Sequence, residues 1–208
     1  MTVIQSLLLF SLAAGLLTIT PGLDTTLVLR TSASEGAEPA AFAAIGIGLG
    51  CLVWGAAAAT GLTALLTAAP LAFQVLKWAG VAYLVWLGLK MIFTRAQGLD
   101  LAGPSDASAT GAGWLRRGLF TNLLNPKIGV FYVTFLPQFV PVGVPAGPWM
   151  FLLAALHVVF GLVWFAVLIA ATLPLSRVLR RPAVVRWIDR IAGGVLIGFG
   201  AKLALSRR

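Results

Sequence analysis

Long stretches of this chain carry no charge, and that restricts its fold more than any other property. No Asp, Glu, Lys or Arg occurs from Met1 to Leu23, Ala40 to Leu76, Trp78 to Leu89 or Ile128 to Ser176. A helix needs about 20 mostly apolar residues to cross a bilayer. The 208 residues are 60% hydrophobic and 10% charged, with a mean hydropathy of +0.98. Such a composition leaves too little polar surface to cover a water-soluble core. The expected fold is an all-α, multi-pass integral membrane protein of six transmembrane helices, at roughly 3–29, 40–66, 71–93, 114–139, 147–173 and 184–204. The first segment has no positively charged flank and no small-residue cleavage site, so it reads as a mature span and not a signal peptide.

The net charge of +9 follows from where the basic residues fall and does not point to a nucleic-acid partner. Lys90, Arg95, Arg116 and Arg117 fall between spans three and four. Arg177, Arg180, Arg181, Arg186 and Arg190 fall around the connection of spans five and six. Lys77 and the C-terminal Lys202, Arg207 and Arg208 lie on the other side. Positive residues are retained inside, which places loops 1–2, 3–4 and 5–6 in the cytoplasm. Cys51 is the single cysteine, which rules out an internal disulfide or a thiolate cluster; it reads as a small packing residue of span two.

Two of the apolar runs are interrupted. Thr20-Pro21-Gly22-Leu23-Asp24 breaks the first span, and Asn125-Pro126-Lys127 breaks the fourth. Proline lacks a backbone N–H and clashes with the preceding turn, so each break opens a new half-helix, with Thr20 and Asn125 as its expected N-caps. Free N–H groups and the positive dipole end at each break suit a carboxylate. Broken helices at corresponding places in two halves point to the substrate site of a secondary transporter.

The halves match in order. Pro21 aligns with Pro126 (126 − 21 = 105), Val53-Trp54 with Val163-Trp164 (163 − 53 = 110), and Ala79-Gly80 with Ala192-Gly193 (192 − 79 = 113). Three spans per copy is an odd number, so the expected architecture is two inverted repeats, 1–93 and 114–208, in one transporter domain, joined by a linker over 94–113. Small-xxx-small pairs, Gly46/Gly50, Ala57/Gly61 and Gly194/Gly198, offer close helix crossings and leave a homo-oligomer open. Trp78, Trp114, Trp149 and Trp187 sit near span ends as expected interface anchors.

Asp24 is the acidic residue placed well inside a span. A charge in the bilayer costs about 2.5 kcal/mol or more, so it should face a cavity or a partner. Its expected role is to bind a substrate ammonium, a proton, or both; its structural alternative is a cap or a pair with Lys127. Lys127 follows Pro126 much as Asp24 follows Pro21, which sets a cation opposite an anion, as a zwitterionic amino acid requires. Gly22 and Thr25 flank Asp24, and Asn122 and Asn125 offer amides one helical turn apart. His157, the single histidine, is a second proton-coupling candidate. Trp54 and Trp164 either line the cavity or pack. No catalytic triad, cofactor motif or metal-ligand cluster stands out. A metal-ion cargo would need more acidic or thiol ligands than Asp24 and Cys51, and a non-transporting scaffold or a membrane-embedded enzyme leaves the matched breaks unexplained.

Three ordered motifs resemble the lysine-exporter/homoserine–threonine-exporter (LysE/RhtB-type) amino-acid efflux family. They are Pro21-Gly22-Leu23-Asp24-Thr25-Thr26 through Arg30; Leu76-Lys77-Trp78-Ala79-Gly80 through Gly88; and Gly118-Leu119 through Asn122, Asn125-Pro126-Lys127 and Phe135-Leu136-Pro137-Gln138-Phe139. The family's first break reads Pro-Gly-Pro; here Leu23 replaces the second proline, which loosens the bend. The resemblance implies export of small amino acids or derivatives across the bacterial inner membrane, driven by protons, by a protein that is not an enzyme and has no cofactor.

Overall fold

The computed structural model describes residues 1–62, 70–93, 110–172 and 181–205. All but the last four positions of the expected linker lie outside these residues. So do 63–66 and 173 of the expected spans, and Arg95, Arg177, Arg180, Arg207 and Arg208 of the expected topology. Helices carry the described chain, with no strand among them. They are α1 (Val3–Ile19), α2 (Leu23–Ser34), α3 (Ala37–Ala57, extended by a π-turn at Ala58–Leu62), α4 (Pro70–Phe93), α5 (Gly111–Leu123), α6 (Pro126–Phe135, followed by a 3-10 turn at Leu136–Phe139), α7 (Ala146–Ala170) and α8 (Pro182–Leu205).

Two helices among the described residues are long and apolar enough to cross a membrane, Ala37–Gly61 and Ala146–Ala170. The α1–α2 pair forms a third such unit, bent by 50° at its break. Six spans were expected, and the other three differ for local reasons. The fourth is divided at Leu124-Asn125 into helices of 13 and 10 residues. The sixth carries Arg186, Asp189 and Arg190 in its first half, and the third is apolar over a shorter stretch, Trp78–Phe93. Only 28% of the most apolar window of α7 is buried within the chain, so its outer face, with Phe151, Leu152, Val159 and Val163 exposed, requires a hydrocarbon surround.

Glycines decide which helices approach most closely. A Cβ on Gly46 would run into the Leu115 carbonyl, and one on Gly118 into the Ala43 carbonyl, so α3 and α5 touch backbone to backbone. Gly88 and Gly193 do the same for α4 and α8: a Cβ on either would lie 2.6 Å from the other's carbonyl oxygen. Such contact is how helices associate where lipid removes the hydrophobic drive. The Gly46/Gly50 pair works as expected, with Gly50 making room for Asn122. The other two expected pairs find no such contact among the described residues: a Cβ on Gly61, Gly194 or Gly198 meets nothing within 4 Å there. Further packing joins α3 to α7 and α1 to α7. Gly36, at φ 99, turns the chain from α2 into α3.

The main core gathers Phe10 and Leu17 of α1, Phe131, Tyr132 and Phe135 of α6, and Met150 and Leu153 of α7. A second cluster joins Val28 and Leu29 of α2, Ile47 of α3 and Leu168 of α7, with Trp164 and Ile188 against it. Two of the expected interface tryptophans turn inward instead. Trp114 is buried, with the Arg117 guanidinium 4.6 Å over its ring. The Trp149 indole donates to the Phe139 carbonyl at 2.8 Å and to Ser6 Oγ at 3.2 Å, tying α7 to the 3-10 turn and α1. Trp78 and Trp187 are exposed, as an anchor would be.

Candidate functional site

The two breaks meet: Lys127 of the second reaches carbonyls of the first, and residues of both line one cavity. At the first, α1 ends at Ile19, and Thr20 adopts extended backbone as its C-cap, its hydroxyl donating back to the Leu16 carbonyl at 2.6 Å. Thr20 is therefore not the N-cap of α2. That position falls to Gly22, which has no side chain to offer. The opening N–H groups of α2, on Leu23, Asp24 and Thr25, have no partner among the described residues.

The second break is built the other way. Asn125 caps α6 as expected, its Oδ1 accepting from the Lys127 N–H at 3.1 Å with Pro126 in the first turn. The Ile128 and Gly129 N–H groups both donate to the Asn125 carbonyl at 3.1 Å. Free N–H donors were expected at both breaks; they occur at the first alone, because Asn125 consumes those of the second.

Asp24 lies in the first turn of α2 and is 9% exposed. Its Oδ2 accepts from Asn122 Nδ2 at 2.9 Å, while Oδ1 is buried without a partner. The same Asn122 amide nitrogen lies 3.4 Å from Cys51 Sγ, and its Oδ1 is also unpartnered. An unpaired buried acceptor is costly and calls for an explanation. Lys127 does not pair with Asp24: no ion pair within 4.0 Å joins them among the described residues. Its ammonium donates to the Leu17 carbonyl at 3.3 Å and the Thr20 carbonyl at 3.1 Å. It thus caps the carbonyl end of α1, where the helix dipole favours a cation, and keeps one of its three donors in reserve.

A cavity of about 50 Å³ lies between these groups, room for a few waters. Gly22, Asp24, Thr25, Asn125, Lys127 and His157 border it. Asn122, bonded to Asp24, and Pro21, at the bend, do not line the space. Pro126 borders a separate apolar cleft of about 430 Å³ with Asn125, Gly129 and Trp54. Trp54 packs its ring on Gly129 there, whereas Trp164 sits in the α2–α3–α7 cluster.

Three residues matter more than sequence reasoning allowed. Tyr132 is fully buried and its hydroxyl lies 3.0 Å from His157 Nδ1, which fixes the ring; a tyrosine two turns beyond Pro126 was the available signal. Cys51 packs in the core and also borders the cavity beside Asn122. Asp189, which the sequence places at the start of span six among arginines, is half-buried in the first half of α8.

Residues 16–207 match the LysE type translocator family. The leucine efflux protein of Klebsiella pneumoniae is 33% identical over 200 residues, covering 95% of this chain and 93% of that protein. The membrane protein YrhP of Bacillus subtilis is 27% identical over 97% of this chain and 100% of its own length. The homoserine/homoserine lactone efflux protein of Salmonella typhi is 27% identical over 95% of each chain. No solved structure matches. The chain belongs to the LysE type translocator family; it is a membrane transport protein and not an enzyme.

Proposed function

We propose that this LysE type translocator is a secondary active exporter that carries a small amino acid or amino-acid derivative out across the bacterial inner membrane in exchange for protons. The observation that carries the reading is Asp24, buried beside a cavity where two broken helices meet, with its Oδ1 unpartnered among the described residues. An ammonium donating to that oxygen satisfies an acceptor that the protein leaves unmet. The substrate carboxylate then takes the spare Lys127 donor and the free N–H groups that open α2. The relatives' names support the ranking of these contacts. Leucine, homoserine and homoserine lactone all present an α-ammonium, while the lactone has no free carboxylate, so Asp24 is the shared determinant and Lys127 the accessory one.

Protonation of Asp24 removes the charge that holds the ammonium, which gives the proton a direct way to compete with substrate. His157, held by Tyr132 at the cavity edge, is the second candidate for the proton. The present cavity is too small for an amino acid, since ligand pockets run to about 300 Å³ or more. Loading therefore requires the surrounding helices to part, as alternating access does. The inverted-repeat reading rests on the ordered sequence offsets of 105, 110 and 113 and the odd number of spans per copy.

The test is efflux from proteoliposomes of the purified chain, loaded with a mixture of amino acids and held at a more acidic external pH. One or a few amino acids should leave faster than from protein-free vesicles, and a protonophore should slow them. Efflux no faster than from protein-free vesicles would overturn the reading.

A further inference from the structure

We infer that this exporter takes amino acids with an uncharged aliphatic side chain, and that Gly161 sets how large that side chain can be. The inference rests on the amino-acid reading above and concerns the half of the cavity that the backbone of the substrate does not use. The α1–α2 break and the start of α6 supply the ionic groups. The opposite wall comes from α3 and α7. On α3, Ala44, Ile47, Gly48 and Cys51 face the cavity; on α7, Val158, Gly161, Leu162 and Phe165 do. Apart from His157, which α7 also turns toward the cavity, both sets follow i, i+3, i+4, i+7, so each helix presents an apolar stripe there.

With Asp24 and the reserve donor of Lys127 assigned to the ammonium and carboxylate, this wall offers a side chain no acidic partner. A lysine or arginine side chain would lose its hydration there with nothing in exchange. An aliphatic side chain loses no polar contact. Its length is limited by what projects from the wall, and the two glycines differ in this. A Cβ on Gly48 would already press on Val158 Cγ1 at 3.3 Å, so that side is full. A Cβ on Gly161 would meet nothing nearer than Phe165 Cε2, at 3.9 Å. Gly161 is the open place in the wall. A larger residue fits there without displacing its neighbours and takes up space the substrate would use. Alanine in place of this glycine also favours the helix, so a change in transport does not reduce to a folding defect.

The experiment compares wild type, Gly161→Ala and Gly161→Val in proteoliposomes, measuring efflux of leucine, alanine and lysine against membrane content. Wild type should favour leucine over both others. Gly161→Val should lower the leucine-to-alanine ratio by about tenfold or more, the range one methylene commands in an apolar pocket. Gly161→Ala should fall between, with alanine efflux retained in both variants. An unchanged ratio, an equal loss of leucine and alanine in both variants, or wild-type lysine efflux as fast as leucine would each overturn the inference while leaving an amino-acid exporter standing. Wild-type release of none of the three, nor of any other amino acid, would instead overturn the reading on which it rests.

Discussion

The two broken helices share a proline and differ in nearly everything else. At the first break the new helix opens uncapped, with free N–H groups and a buried carboxylate that has one oxygen unmet. At the second it opens fully capped by Asn125, and its charged residue reaches back across the break to the carbonyl end of α1. The first leaves donors and an acceptor unmet, and the second satisfies its own. On the proposed reading, an anion at the first break and a cation from the second suit the two ends of an amino acid.

Asp24→Asn tests that difference most severely. The variant keeps the size of the side chain and a partner for Asn122 but removes the charge. Export should drop about 100-fold or more, because the ammonium loses its counter-charge in a low-dielectric site, with insertion and folding retained. Wild-type export by this variant at several pH values would reduce Asp24 to a structural residue. Lys127→Met should cost less transport, about tenfold, yet more stability, since it frees the Leu17 and Thr20 carbonyls at the end of α1. Thermal unfolding in detergent separates these effects: a lower midpoint with modestly reduced export fits the supporting role, and the reverse order would exchange the roles of the two breaks. The smallest effect should come from Gly194→Ala, whose added methyl meets nothing within 4 Å; export and unfolding midpoint should both stay at wild type. A clear loss would show that this face has a partner.

The membrane class, the family and the position of both breaks were legible in the sequence because each rests on local chemistry: runs without charge, and proline in an apolar helix. Asn125 was legible as a cap for the same reason, since an Asn-Pro pair acts over a few residues. Thr20 was misread because Thr-Pro satisfies the same local rule. What decided it was the hydroxyl's alternative acceptor, the Leu16 carbonyl four residues back. Trp149 likewise follows the rule for an interface anchor, and only the meeting of α1, the 3-10 turn and α7 gives its indole an internal acceptor.

By itself, then, the sequence determined that this chain crosses a membrane, that two of its helices are broken, and that a lone carboxylate and a lysine stand at the breaks. Hydropathy, proline geometry and the cost of a charge in lipid are properties of a residue and its near neighbours. Only the tertiary structure decided that Asn122, 98 positions from Asp24, takes one of its oxygens, that Tyr132 holds His157, and that Lys127 binds carbonyls instead of the carboxylate. Those choices depend on which donor reaches which acceptor once helices distant in sequence have packed, and no rule of local spacing contains them.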